Sequence, residues 1–148
     1  MKRLACLLVL AVLGCAAQKP RAAEAPKAAV FDPCADRLQE ICGIILQYYV
    51  DNHQLPADME QLQAIAIQQH EPGNLFVCPI SHLRYVYNAS GIPLYSVDPP
   101  AKLVMYDAQA VHNGRRWGIA ITPAMSGRPV ICRVVSVPGN MNLATTQP

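Results

Sequence analysis

Cysteine, histidine and carboxylate side chains are the residues in this sequence whose chemistry could define a site. No Cys-x-x-Cys pair occurs and the histidines are scattered, so the spacing predicts no metal site and no cofactor. Phosphate-binding glycine loops, metalloprotease helix motifs and nucleophile elbows are also absent from the sequence. His112 follows Asp107 by five residues, but no serine or cysteine is spaced to share a site with them. The sequence therefore predicts a protein that is not an enzyme.

The first residues have the form of a signal sequence. Lys2 and Arg3 precede an apolar run from Leu4 to Leu13, which is too short to span a bilayer. The following Val12-Leu13-Gly14-Cys15 resembles the bacterial lipobox, in which the cysteine is acylated and the chain is cut just before it. The resemblance implies removal of residues 1–14, lipid on Cys15, and attachment to a membrane facing the periplasm or the cell exterior. Residues 15–31 are rich in alanine, proline and charge, which favours a flexible tether.

Four cysteines then remain in an oxidising compartment and are candidates for disulfides: Cys34, Cys42, Cys78 and Cys132. Cys34 and Cys42 are eight residues apart on one predicted helix, about 12 Å, which is too far for a bond between them. Two pairings remain open, 34–132 with 42–78 and 34–78 with 42–132, and the alternative is that the four cysteines are buried free thiols. We favour the first, because a second helix running back along the first should bring Cys78 level with Cys42.

The predicted domain, residues 32–137, begins with two helices. Asp32 can cap the first helix and Pro33 suits its first position. Its apolar residues recur at three- and four-residue steps, and the helix should end near Asp51. Ile44 and Tyr48 lie on the opposite side, where a partner could bind. A second helix should start near Asp58.

Strand patterns follow the helices. The sequence predicts strands at 75–78, 83–87, 102–106, 117–122 and 130–137, with turns at 88–91, at Asn113-Gly114 and at 126–129. Residues 138–148 are expected to be a flexible tail. Helices followed by neighbouring strands predict an α+β fold, with the apolar side of the first helix packed on an antiparallel meander.

This pattern resembles the type IV pilins and type II secretion pseudopilins. The end of the first helix, with Asp51-Asn52 and Pro56, is similar to the Tyr-x-x-Asp-Asn-Gly-x-Tyr-Pro motif of that family, with His53 and Leu55 replacing the glycine and the second tyrosine. The segments 76–79, 85–87, 106–107 and 112–117 are similar to pilin-like secreted proteins of planctomycetes, although Thr122-Pro123 stands where those proteins have Asp-Gly. The resemblance implies a pilin-like domain. Pilins have a long apolar N-terminal helix, and this sequence has a lipobox in its place. The resemblance therefore implies an accessory protein rather than a filament subunit.

Composition narrows the function classes. Hydrophobic residues form 52% of the chain, charged residues 15%, and the formal net charge is +2, without a basic run of the kind that binds nucleic acid. We expect a non-enzymatic, lipid-anchored envelope protein that binds another protein through His112, Arg115, Arg116 and Trp117. The alternative is a lipoprotein that binds a small molecule or glycan through its tyrosines and Trp117.

Overall fold

The computed structural model describes residues 32–69, 73–95, 100–125 and 127–143. Its elements, in chain order, are the helices α1 (Pro33–Asn52) and α2 (Met59–Gln68) and the strands β1 (Val86–Leu94), β2 (Ala101–Tyr106), β3 (Arg115–Thr122) and β4 (Ile131–Pro138). The predicted signal peptide, Cys15 and the tether lie outside the described residues. Neither described helix has the length and hydrophobicity to cross a bilayer.

Both predicted helices are confirmed, and both begin at an aspartate. The Asp32 carboxylate accepts hydrogen bonds from the backbone N–H groups of Cys34 and Ala35, and the Asp58 carboxylate accepts one from Gln61. These bonds satisfy N–H groups that the first helical turn cannot pair internally. α1 ends at His53, whose φ of 55° is left-handed and whose N–H bonds to the carbonyl oxygen of Tyr49.

The four strands form one antiparallel sheet in the order β1-β2-β3-β4, so the predicted α+β meander is confirmed. One strand prediction and one turn prediction are wrong. Residues 75–78 form a turn with an isolated bridge between Val77 and Arg84, and residues 88–91 lie inside β1, not in a turn between strands. The pairing of β1 with β2 shifts between Tyr87 and Ile92, so these residues form an irregular bulge in the strand.

The first helix packs on one face of the sheet, mainly against β3 and β4. Its buried side chains are Cys34, Leu38, Ile41, Cys42, Ile44 and Ile45. The side of α1 that carries Ile44 is therefore not an exposed surface for a partner, because Ile44 is only 4% exposed and belongs to the core. The apolar positions of this 20-residue helix extend beyond one stripe. The second helix and the strands therefore cover a wider part of its surface, which includes Ile44.

A smaller apolar cluster lies on the other face of the sheet, built on Leu103, Tyr106 and Ala120. Residues beyond the predicted domain end contribute to it: Leu143 packs against this cluster, and its carbonyl oxygen accepts a hydrogen bond from the Tyr106 hydroxyl. The ordered domain thus extends past residue 137 to Leu143, and residues 144–148 of the expected tail lie outside the described residues.

Candidate functional site

The cysteines lie in two pairs. Cys34, in the first turn of α1, has its Sγ 2.9 Å from the Sγ of Cys78, and neither is in a disulfide. Cys42, two turns further along α1, is in hydrogen-bond contact with Cys132 of β4. The structure therefore places Cys34 beside Cys78 and Cys42 beside Cys132 without a bond in either pair, and the favoured adjacency of 34 with 132 and of 42 with 78 is wrong.

The physical reason for that error is the path of the chain after α2. The turn at residues 78–82 returns to the start of α1, and Arg37 of α1 donates hydrogen bonds to the carbonyl oxygens of Asn74 and Val77. These bonds hold Cys78 against the first turn of α1. The middle of α1, with Cys42, instead faces β4.

His112 lies between two carboxylates. Its Nδ1 is 3.0 Å from Oδ2 of Asp32 and its Nε2 is 3.1 Å from Oδ2 of Asp107, and the imidazole side chain is only 7% exposed. The first contact is a hydrogen bond. The second contact, from His112 Nε2 to Asp107, is short enough for an ion pair but is not aligned as a hydrogen bond. Nε2 therefore has no hydrogen-bond partner among the described residues.

A tight hairpin turn places His112 there. His112 and Arg115 exchange two backbone hydrogen bonds around Asn113 and Gly114, as the sequence predicts. Both turn residues have positive φ, 52° and 73°. Asparagine and glycine adopt such values at low cost, which favours this two-residue connection.

Asp32 connects the start of α1 to the sheet. Besides capping the helix, its carboxylate accepts a 2.8 Å hydrogen bond from Nε1 of Trp117 and the contact from His112. Burial by itself would raise the pKa of Asp32, but the bonds from Trp117 and Cys34, together with nearby His112, hold that pKa below its usual value.

Asp107 directly follows β2 and is fully buried. Oδ2 accepts a 2.8 Å hydrogen bond from the backbone N–H of Trp117, whereas Oδ1 has no hydrogen-bond partner in the described part of the chain. Burial raises the pKa of Asp107, although the Trp117 N–H, His112 and the Cys78 thiol each act to lower it. Burial and the contact with Cys78 raise the pKa of the Cys34 thiol to about 12.

These groups form one cluster. One donor atom from each of Cys34, Cys78, Asp107 and His112 lies within 4.8 Å of the other three. They come from the first turn of α1, the turn after α2, the end of β2 and the β2–β3 connection. Thiolate, imidazole and carboxylate are the donor types that bind transition metals in proteins, and they also support proton transfer.

The predicted interaction residues are mostly engaged within the domain. Arg116 donates to the backbone carbonyls of Asp107 and Ala108, and Trp117 is half-buried and bonded to Asp32. Arg115 is exposed and donates to Ser136 on β4. Together with His112 these residues join the β2–β3 connection to its neighbours, so replacement of Arg116 or Trp117 should disturb the fold. Their role in binding stays a prediction.

The tyrosines do not form one exposed face. Tyr85 and Tyr106 are buried, and Tyr87 is half-buried with its hydroxyl donating to the carbonyl of Pro56. Tyr95, in contrast, is 91% exposed. Tyr85, Tyr87 and Tyr106 belong to the two apolar clusters, so these three tyrosines are not available to an exposed binding face.

Spacing did not reveal the cluster. Cys34 and Cys78 are 44 residues apart, and Asp32 and His112 are 80 apart, so no local motif joins them. The sequence predicts Asp32 as a helix cap and a turn at Asn113-Gly114 next to His112, but it gives no link between the two positions. The available signal was the five-residue spacing of Asp107 and His112 around a strand end, which brings both side chains to one edge of the sheet.

No protein-family model matches this sequence, and neither the curated proteins nor the solved structures contain a match to it.

Proposed function

We propose that this chain is a lipid-anchored cell-envelope protein whose domain, from Asp32 to Leu143, is a non-enzymatic, pilin-like interaction module. The N-terminal sequence supports the anchor, because a short positive start and a ten-residue apolar run lead to Gly14-Cys15. The α+β arrangement, a first helix on an antiparallel meander, is compatible with a pilin-like domain that lacks the long apolar helix.

The observation that carries the non-enzymatic assignment is the closure of the acid–base cluster. Cys34 and Asp107 are 0% exposed, Cys78 is 1% exposed and the His112 side chain is 7% exposed. A catalytic group must touch its substrate, and these reactive atoms are covered by the helix and sheet that they connect. Their positions favour a role in holding the N-terminal end of the domain to the sheet.

The lipid anchor is tested by metabolic labelling with palmitate. The wild-type chain and a Cys6→Ala variant should incorporate label equally, because Cys6 lies in the segment that is removed. Cys15→Ala should incorporate none and should not be cut before residue 15. Labelling of Cys15→Ala at the wild-type level would show that the anchor assignment is wrong.

An exposed turn supplies the surface that we propose for partner binding. Ile80 and Leu83, beside the cluster residue Cys78, are 46% and 39% exposed and lie three residues apart, so two large apolar side chains are exposed on one short segment. Ile67 on α2 is 68% exposed and provides a matched control on another element.

The test is a photo-crosslinking amino acid placed at residue 80 or at residue 67 in intact cells. We expect a discrete adduct of one protein from position 80 and none from position 67. Equal patterns from the two positions, or no adduct from position 80, would refute the assignment of this turn.

A further inference from the structure

We propose that Cys34, Cys78, His112 and Asp107 bind one zinc ion. The inference does not depend on lipid anchoring or on partner binding. Two thiolates, one imidazole and one carboxylate are a donor set that zinc accepts in tetrahedral sites, with bonds of about 2.0–2.3 Å. Such bonds place neighbouring donor atoms about 3.3–3.8 Å apart. The four donor atoms already lie within 4.8 Å of one another.

Little movement is needed to complete the site. The two sulfur atoms, 2.9 Å apart, would separate by about 0.9 Å to reach the spacing of a tetrahedral zinc site. Each sulfur is on a turn of the backbone or at a helix end, and each ligand comes from a different segment. Rotation of side chains can therefore supply this adjustment without shifting the sheet.

Each ligand also has an outer partner that orients it. His112 bonds through Nδ1 to Asp32, which leaves the lone pair of Nε2 for a metal. Asp107 bonds through Oδ2 to the Trp117 N–H, which leaves Oδ1. Sγ of Cys78 accepts the backbone N–H of Ser81 at 3.4 Å. A carboxylate behind a ligating histidine and N–H groups on ligating atoms are typical of metal centres.

Two buried atoms distinguish zinc from the competing disulfide. His112 Nε2 and Asp107 Oδ1 have no hydrogen-bond partner in the described ranges. A Cys34–Cys78 disulfide would use the sulfurs and leave both atoms buried and unpaired, which is unfavourable. A zinc ion bound to all four residues would satisfy both atoms and offset the clustering of negative charge.

The second cysteine pair lacks these features. No histidine or carboxylate joins Cys42 and Cys132 in a comparable group within the residues that the structure describes. This pair is therefore the better candidate for a structural disulfide, and Cys132 is a matched control for Cys34. Calcium and magnesium prefer oxygen donors, so the two thiolates favour zinc among common divalent ions.

The experiment uses the full chain, extracted in detergent without chelator, reduced with a phosphine and dialysed against zinc. Elemental analysis should give one zinc per chain for the wild type and for Cys132→Ser. It should give less than a tenth of that for Cys34→Ser and for His112→Gln, with folding checked by circular dichroism. A zinc-free wild type, or equal zinc loss in folded Cys34→Ser and Cys132→Ser, would overturn the proposal.

Cobalt substitution of the wild type keeps the test decisive if the variants do not fold. Cobalt bound to thiolates gives an intense sulfur-to-metal charge-transfer band, and we expect this band to saturate at one cobalt per chain and to disappear when zinc is added. A wild-type protein without the band, or one in which peptide mapping after zinc dialysis still shows a Cys34–Cys78 disulfide, would overturn the proposal.

Discussion

Replacement of Asp32 by alanine should destabilise the domain far more than the loss of a helix cap. Its carboxylate accepts from the helix N–H groups of Cys34 and Ala35, from Trp117 Nε1 at 2.8 Å and from His112 Nδ1 at 3.0 Å. Asp58, which caps α2, accepts a hydrogen bond from the backbone N–H of Gln61 in an exposed position. Asp58→Ala is thus a matched control, because it measures the stability that is lost when a helix N-cap alone is removed.

The expected loss in the free energy of unfolding follows from these contacts. Loss of an N-cap costs about 1 kcal/mol. A buried donor left without its acceptor costs about 1–3 kcal/mol, and the Trp117 and His112 donors would both be affected. Because the Asp32 side chain is 21% exposed, water can replace part of what is lost, so we use about 1 kcal/mol for each. The free energy of unfolding should fall by about 3 kcal/mol in Asp32→Ala and by about 1 kcal/mol in Asp58→Ala.

Urea unfolding followed by far-ultraviolet circular dichroism measures both losses. The fluorescence of Trp117, the only tryptophan, gives a second readout under native conditions. Its emission maximum should change in Asp32→Ala because the indole N–H loses its carboxylate partner, and it should not change in Asp58→Ala. Equal losses of stability in the two variants, with unchanged emission, would refute the role of Asp32 as the connection between α1 and the sheet.

Three further predictions concern the core, a glycine pair and alkaline pH. Ile45→Ala, at a 0% exposed position, should lower the free energy of unfolding by about 2–5 kcal/mol in the same urea assay. Gly118→Ala should lower the melting temperature, because its Cβ would lie 2.6 Å from the Met105 carbonyl oxygen. Gly43→Ala has open space around it on α1, so it should raise the free energy of unfolding by about 0.5–1 kcal/mol. Burial raises the pKa of Tyr87 above its ordinary 10.0, so its contribution to stability is present below pH 10 and is lost as the pH rises further. The free energy of unfolding should therefore fall less steeply above pH 10 in Tyr87→Phe than in the wild type, and parallel curves would contradict this.

Local signals predicted most of the elements. Asp32-Pro33 and Asp58 marked both helix starts, and the turn at Asn113-Gly114 was recognised from its residue types. The turn expected at residues 88–91 was misplaced, because its turn-forming residues also suit an irregular bulge in a strand. Tertiary packing determines whether residues 88–91 form a turn or a bulge, and the residue types alone do not reveal that packing.

The candidate site depended on long-range geometry. Helix spacing correctly excluded a Cys34–Cys42 bond, but the choice between the two remaining pairings required the path of the turn at residues 78–82. Residues of four segments form the cluster, and only the folded chain brings Cys78 to the start of α1. A hairpin turn favours solvent contact for residues such as His112 and Trp117, but here both are bonded to Asp32, which precedes α1.

The most direct test of the Cys34–Cys78–His112–Asp107 cluster as a metal centre is X-ray absorption at the zinc edge of the purified full chain. We expect two sulfur neighbours at about 2.3 Å and two nitrogen or oxygen neighbours at about 2.0–2.1 Å. The same wild-type spectrum should contain the outer-shell scattering of one imidazole, from His112. A spectrum with only oxygen and nitrogen neighbours would contradict the account, because it would place any bound zinc away from the two cysteines.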